Sequence, residues 1–287
     1  MTTAGLPGEQ LPRPGRNVDL AAFFRTVAHA PQSALLLDYD GTLAPFRERR
    51  DRAVPYSGVA SLLQEIMGAS RTRVVLITGR EADDVLPLLN VYPPPEVCGL
   101  HGLQRMKPNG ASEMACLDER VVQALIDADR WLVEQQLRDA AEFKPGSIAV
   151  HWRGRREDDA REIRRRVLRG WKLIAERSGA DLLEFDGGIE IRTPDPDKGD
   201  AVRTILSEMD PQAPAAYLGD DLMDERGFAA LDMRGLSVLV RPELRPTSAD
   251  LWLRPPDELL QFLRLWLHKL QSQVPQETEK GSQVLNP

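Results

Sequence analysis

Cysteine is nearly missing from this chain: among 287 residues there are two, Cys98 and Cys116. They stand in unrelated contexts with no CxxC or Cys/His spacing. That excludes a disulfide framework and a zinc site as organising devices and suits a reducing compartment, so a cytoplasmic location is expected. Long apolar runs are missing too. No stretch reaches the roughly 18 to 20 consecutive apolar residues of a membrane helix, and the opening MTTAGLPGEQLPRPGR lacks the charged-then-apolar order of a signal peptide. Nor is there an excess of basic charge. The formal net charge is −7, and the arginines between Arg47 and Arg52 are interrupted by acids, so neither nucleic acid nor membrane is an expected partner. No repeat of solenoid length occurs.

What is present is an ordinary apolar fraction of 42%, enough for one large domain or two modest ones. Short apolar runs alternate with segments of helical period, the pattern of an α/β protein with a Rossmann-like parallel sheet covered by helices. SALLLD (33–38), RVVLIT (73–78), AAYLGD (215–220) and LSVLV (236–240) are expected core strands, and PPDELLQFLRLWLHKL (255–270) an amphipathic closing helix with Pro at its start. Ligands of open α/β sheets bind beyond the carboxyl ends of the strands, so Asp38, Thr78 and Asp220 are expected to converge there.

Between about 110 and 193 the rhythm changes. A helix near 118–137, strands EFKPG and SIAVHW, a helix near 158–176, then DLLEF and IEIRT around Gly187-Gly188 form an αββαββ order, expected as a compact α+β domain inserted into the first. The core would then comprise 17–109 and 194–270. The Pro/Gly-rich segment 1–16 and the polar tail 271–287 are expected to be mobile.

The chemistry starts in LLLDYDGTLAP (35–45). In an extended segment alternate side chains share a face, and a tight turn at Gly41 brings Asp38, Asp40 and Thr42 to one small site. Two carboxylates so close repel each other. A hard divalent cation such as Mg²⁺, which takes one or two carboxylates plus substrate phosphate, is the usual remedy. Taken alone, a DxDG segment equally describes an acidic turn capped by Asp.

Three further segments settle the choice. DYDGTLAP, LITGR, DKGDA and YLGDDLMDE occur in the order of the four motifs of the haloacid dehalogenase (HAD) superfamily, which the chain resembles. The resemblance implies that Asp38 is a nucleophile forming an aspartyl-phosphate and that Asp40 is the general acid and base. It implies that Thr78 bonds a phosphoryl oxygen and that Lys198 neutralises charge on the transferring group. Mg²⁺ would be held by Asp38, Asp40 and Asp220, with Asp221 and Asp224 ligating or supporting it. Singly, Thr78 could end a strand, Lys198 could be a solvated helix-start residue and GDDLMDE an acidic helix N-terminus; order and strand-end placement together favour the chemistry.

Within that superfamily the chain is most similar, from about Ser33 to Leu270, to the trehalose-6-phosphate phosphatase family, through LDYDGTLAP, GLHG (99–102), EFKPGSIAVHWRG (142–154), EIRTPDPDKG (190–199) and GDDLMDERGF (219–228). This resemblance implies a Mg²⁺-dependent phosphatase of trehalose biosynthesis acting on trehalose 6-phosphate, with the inserted domain as a cap that closes over the site. A trehalose-6-phosphate synthase is the functional partner it implies. Glu142, Lys144 and Glu190 would bond sugar hydroxyls, with His151, Arg153 and Arg192 lining the pocket. Their structural alternative is ion pairing along strands, Glu142 with Lys144 and Glu190 with Arg192. His101 is expected either at the hinge beside the site or as a satisfied loop histidine. Thr42 and Arg80 join the substrate-binding set, although a pair with Asp83 or Asp84 is the favoured alternative for Arg80. Two departures stand out: Met223 where the family commonly has Thr, which removes a hydroxyl from the fourth motif, and Thr78 where Ser is frequent. The rival functions are another capped HAD phosphatase of sugar phosphates, of the sucrose-phosphate or mannosyl-phosphoglycerate type, and a non-catalytic sugar-phosphate sensor.

Overall fold

The computed structural model describes residues 18–47, 49–185 and 187–272. The expected mobile segments, 1–16 and all but the first two residues of 271–287, lie outside them. No helix among the described residues is long and apolar enough to cross a membrane.

The chain builds two sheets. The larger has the order β12-β11-β10-β1-β2-β3-β4-β5. Its parallel strands are β1 (Ser33–Leu37), β2 (Thr72–Ile77), β3 (Glu96–Gly99), β10 (Ala215–Gly219), β11 (Gly235–Val240) and β12 (Leu251–Leu253). At one edge β4 (Gln104–Met106) and β5 (Ser112–Met114) run antiparallel. β1 is buried along its whole length, as a strand covered on both faces must be. Its alternation divides the core. Leu35 and Leu37 pack with α1 (Leu20–His29), α2 (Val59–Gly68), α3 (Ala82–Leu89) and α8 (Asp257–Gln271), while Ala34 and Leu36 pack with α6 (Lys198–Ser207) and α7 (Asp224–Leu231).

α8 shows why such a segment folds as it does. Leu259, Phe262, Leu263, Trp266, Leu267 and Leu270 recur at helical spacing and are buried, each side chain contributing about 1.5–3 kcal/mol by leaving water. Phe24 of α1 meets Phe262 edge-on at 5.5 Å, and the Trp266 indole donates to Thr72 Oγ1 at 3.0 Å. The helix begins one residue after Pro256, as the sequence predicts.

The smaller sheet, β6-β7-β9-β8, is antiparallel and consists of β6 (Ala141–Lys144), β7 (Ser147–His151), β8 (Asp181–Phe185) and β9 (Gly188–Arg192). α4 (Glu119–Glu134) and α5 (Glu157–Ser178) cover one face, onto which Ile148, Val150, Ile189 and Ile191 pack. One boundary differs from expectation. The change of rhythm was placed at 110, yet Ser112–Met114 pairs with Gln104–Met106 in the large sheet. All three residues of β5 are exposed, so no apolar run marks this edge strand. Both cysteines are free.

Candidate active site

β1 lies between β10 and β2. The chain therefore leaves β1 towards one side and returns on the other, which opens a crevice at the carboxyl ends of these strands. Asp38 follows β1, Thr78 follows β2 and Asp220 follows β10, and all three are buried. Lys198 reaches them from the first position of α6. Its helix starts there because Asp197 and Asp200 form a reciprocal capping box, satisfying amides that would otherwise lack partners.

The Lys198 ammonium donates to Asp38 Oδ1 at 2.8 Å and to Asp224 Oδ1 at 2.6 Å. Thr42, assigned from sequence to the substrate, donates instead to Asp38 Oδ2 at 3.1 Å. Asp224 accepts two further amides on Oδ2, from Asp220 and Asp221 at 2.9 and 3.0 Å, and the Tyr217 hydroxyl on Oδ1 at 2.6 Å. Asp221 Oδ1 accepts from the Met223 amide at 2.7 Å. The loop is thus held by its own carboxylates, and Met223 at the N-terminus of α7 makes no side-chain cap.

Gly41 lets the first loop close on this cluster. Its φ is +86°, and a Cβ there would fall 2.3 Å from Asp220 Oδ2, so neither the conformation nor the space admits a side chain. Asp38, Asp220 and Asp224 each place a carboxylate oxygen within 4.8 Å of the others. Burial first, and then neighbouring acids, push the Asp38 and Asp220 carboxyls above the ordinary range despite Lys198. Burial opposes the Lys198 charge as well, but Asp224 and Asp38 outweigh it and raise its pKa.

One ammonium therefore serves a group of acids that it cannot neutralise, and the donors are all oxygens. Such a set fits a hard divalent cation. The members are unequal. Asp224 already receives four donors, filling its lone-pair positions, whereas among the described residues nothing donates to the Asp220 side chain. Asp38 and Asp220 are the acids with oxygen to spare, and Asp224 fixes Lys198 and the loop.

Asp40 departs from expectation. Its carboxylate is forked by Arg80, Nε to Oδ2 and Nη2 to Oδ1, both at 2.6 Å, so it is committed to a guanidinium and not to the metal-ligating set. Arg80 likewise pairs neither with Asp83 nor with Asp84. It precedes α3, which starts at Ala82, and so lies outside the helical register on which that local pairing depends. Thr78 Oγ1 accepts the Arg80 amide at 3.2 Å, closing the turn. Beside it, a Cβ on Gly79 would lie 2.6 Å from the His101 ring. His101 is not a satisfied loop histidine: burial, followed by Arg192, Lys198 and Lys144, holds its pKa well below the usual value, and its Nδ1 is buried without a partner among the described residues.

The small sheet meets this crevice with its polar face. Cross-strand register aligns Glu142 with Ala149 and Glu190, and Lys144 with Ser147 and Arg192. Residues directly opposed share a face, so the period of two that sends isoleucines to the helices turns these side chains the other way. Lys144, Glu190 and Arg192 line a pocket with Gly79 and His101. Glu142 accepts from His151 at 3.0 Å and pairs with Lys144 at 3.3 Å and Arg50 at 3.1 Å. The His151 bond first, then Lys144 and Arg50, hold its carboxyl at about 2 against the effect of burial. Arg153 packs against the Gly187 turn and does not line this pocket.

Arg192 is 3% exposed, its Nε lacks an acceptor among the described residues and burial lowers its pKa. The alternative pair with Glu190 does not form within ion-pair distance. A buried guanidinium without such a partner is costly to maintain and points to an anionic or hydroxyl-rich ligand.

Sequence reasoning missed Tyr217, hidden inside an apolar strand, and Arg50, hidden in a polar run. It also missed Arg245, which donates to the Asp221 carbonyl and pairs with Glu225, so bracing the acidic loop from the β11–β12 connection.

Comparisons with known proteins come down on one family. The family model described as Trehalose-phosphatase matches residues 36–253. A trehalose-phosphate phosphatase of Mycobacterium marinum is 28% identical over 248 residues, covering 81% of this chain and 60% of that protein. The chain thus spans about three-fifths of the length of that relative. Among solved structures, the C-terminal domain of the Candida albicans trehalose-6-phosphate phosphatase is 19% identical, with a TM-score of 0.72 over 90% of this chain and 99% of that one. A phosphatase of the haloalkanoate (HAD) superfamily from Bacteroides thetaiotaomicron, 15% identical, covers 82% of this chain and 95% of that one with a TM-score of 0.58. These two likenesses concern the fold, which is the α/β arrangement with a parallel-sheet core expected from the sequence.

Proposed function

The chain belongs to the trehalose-phosphatase family, and on that premise we propose that it hydrolyses trehalose 6-phosphate to trehalose and inorganic phosphate. The observation that carries this is the Lys198 ammonium bridging Asp38 and Asp224 at the carboxyl ends of the central strands, across from a polar sheet face.

In the first step an Asp38 oxygen attacks phosphorus, the bond from phosphorus to the sugar oxygen breaks, and Asp40 gives that oxygen its proton. In the second, Asp40 takes a proton from water, the water oxygen attacks phosphorus, and the bond to Asp38 breaks, releasing phosphate, freeing the Asp38 carboxylate and returning Asp40 to its protonated form. Lys198 holds the charge that builds on the phosphoryl oxygens, and the Thr78–Arg80 turn orients them. Mg²⁺ is the cation that Asp38 and Asp220, with Asp221 nearby, would hold, and it supplies positive charge against the phosphoryl group. Residues from about 115 to 193 act as the cap. Glu142, Lys144 and Glu190 read sugar hydroxyls, while His151, Arg192 and His101 orient them and exclude water, and Arg153 braces the Gly187 turn from outside the pocket. The two free cysteines suit the cytoplasm, next to a synthase that makes the sugar phosphate.

The deciding measurement is phosphate release from trehalose 6-phosphate, glucose 6-phosphate and sucrose 6-phosphate, with Mg²⁺ and after chelation. We expect turnover of trehalose 6-phosphate at least tenfold faster than the others and loss of activity on chelation. Equal rates on all three would remove the substrate assignment. Undiminished activity after chelation would remove the metal.

A further inference from the structure

On the chemistry proposed above, Asp40 must be aimed at the departing sugar oxygen, and Arg80 is the residue that holds it. Arg80 holds both of its oxygens and is 4% exposed, with its guanidinium 5.4 Å from the Tyr39 ring centroid. The remaining terminal nitrogen, Nη1, donates to the Arg50 carbonyl at 2.8 Å. The Arg50 side chain crosses to the other sheet and reaches Glu142 Oε1 at 3.1 Å. One residue thus touches both ends, the main chain of Arg50 bracing Arg80 and its guanidinium gripping Glu142.

We propose that Arg50 and Arg80 are positioning residues that couple sugar recognition at Glu142 to the orientation of Asp40, an inference that rests on the phosphatase chemistry set out above. The link is built to yield. Arg50–Arg52 is a single 3₁₀ turn with no buried residue of its own; its tie to the core is at Ala53, which is buried, donates its amide to the Arg50 carbonyl and accepts the Tyr39 hydroxyl. The Arg50–Glu142 pair has side-chain exposures of 44% and 36%, and pairs so open to solvent contribute little and exchange readily. A sugar hydroxyl bonded to Glu142 beside Arg50 would order that exposed pair, and with it the turn whose carbonyl Arg80 leans on; a contact stronger with ligand than without is what lets a ligand at one end bias the other.

The test is steady-state kinetics on the full chain with Arg50→Ala, Arg50→Lys, Glu142→Gln and the Arg50→Ala/Glu142→Gln double variant. On trehalose 6-phosphate, Arg50→Ala should lower kcat about tenfold with KM within about threefold, and Arg50→Lys should recover most of the loss; tenfold corresponds to about 1.4 kcal/mol. In the Glu142→Gln background the same change should cost about twofold or less. Additive losses, or a loss confined to KM, would overturn the coupling. A series of substituted phenyl phosphates reads Asp40 without the sugar. Arg80→Lys and Arg50→Ala should slow poor leaving groups more than good ones, because only the former need a well-aimed proton donor. An unchanged slope would overturn the positioning role. If the unsubstituted chain turned over phenyl phosphates but no trehalose 6-phosphate, the substrate assignment would fail, and this slope would still decide the role of Arg80.

Discussion

Asp224 holds the Lys198 ammonium at 2.6 Å and keeps no lone pair for anything else, since Tyr217 and two loop amides occupy the rest. An acid that its motif offered as a ligand or a support is therefore the one that sets the geometry of the others.

That division separates two substitutions. Asp224→Asn turns an amide NH₂ towards donors whichever way it flips, leaving buried groups unpaired, and should destabilise the chain by about 3–5 kcal/mol. Asp38→Asn should abolish turnover and leave the melting temperature unchanged or higher, because it removes one charge from a crowded acidic cluster while Lys198 keeps Asp224. Thermal denaturation beside phosphate release checks both; a Tm for Asp38→Asn several degrees below that of the parent would contradict this account of the charge balance.

Arg192 poses the opposite trade. It is buried with no carboxylate in ion-pair reach among the described residues, so Arg192→Met, of similar length and without charge, should raise the melting temperature while raising KM for trehalose 6-phosphate about tenfold or more. A lower Tm with unaltered KM would make Arg192 a purely structural residue.

Acid stability tests a network far from the site. Glu208 receives Arg105 through both oxygens and Arg73 through one, all at 2.7 Å. The Arg105 bonds first, then Arg73, lower its pKa from 4.5 to about 2 against the effect of burial. A carboxyl depressed on folding adds stability that is complete above its unfolded pKa and is lost as pH falls through the folded one. Glu208 is 41% exposed, so solvent screening limits its worth to about 0.5–1 kcal/mol. Glu208→Gln should be less stable than the parent by that amount at pH 7, with the gap closing between pH 4.5 and 2. Urea denaturation at three pH values would show it, and a gap that widened on acidification would refute the sign.

Some of this was written locally and some was not. Asp38 and Asp220 were legible because each ends a short apolar run whose burial is decided by its own composition, and a parallel sheet brings such ends to one edge. The two glutamates and the basic residues of the second sheet were legible as same-face positions for the same reason, since strand period alone separates them from the isoleucines. Arg80 was not: a helical pairing rule proposed Asp83 or Asp84, while its actual partner lies 40 residues away on another loop. Arg50 and β5 left no signal, because neither belongs to an apolar run that would betray what it packs against.

The order of motifs and the alternation of polar and apolar residues determined the fold class, the strand ends and the kind of chemistry, since both follow from short-range periodicity. Which carboxylate stays open, which one is saturated and which guanidinium aims Asp40 were decided only in three dimensions. Lys198 and Asp38 meet across 160 residues of chain, and hydrogen-bond capacity at such a meeting is shared out by distance and angle, quantities that no local pattern encodes.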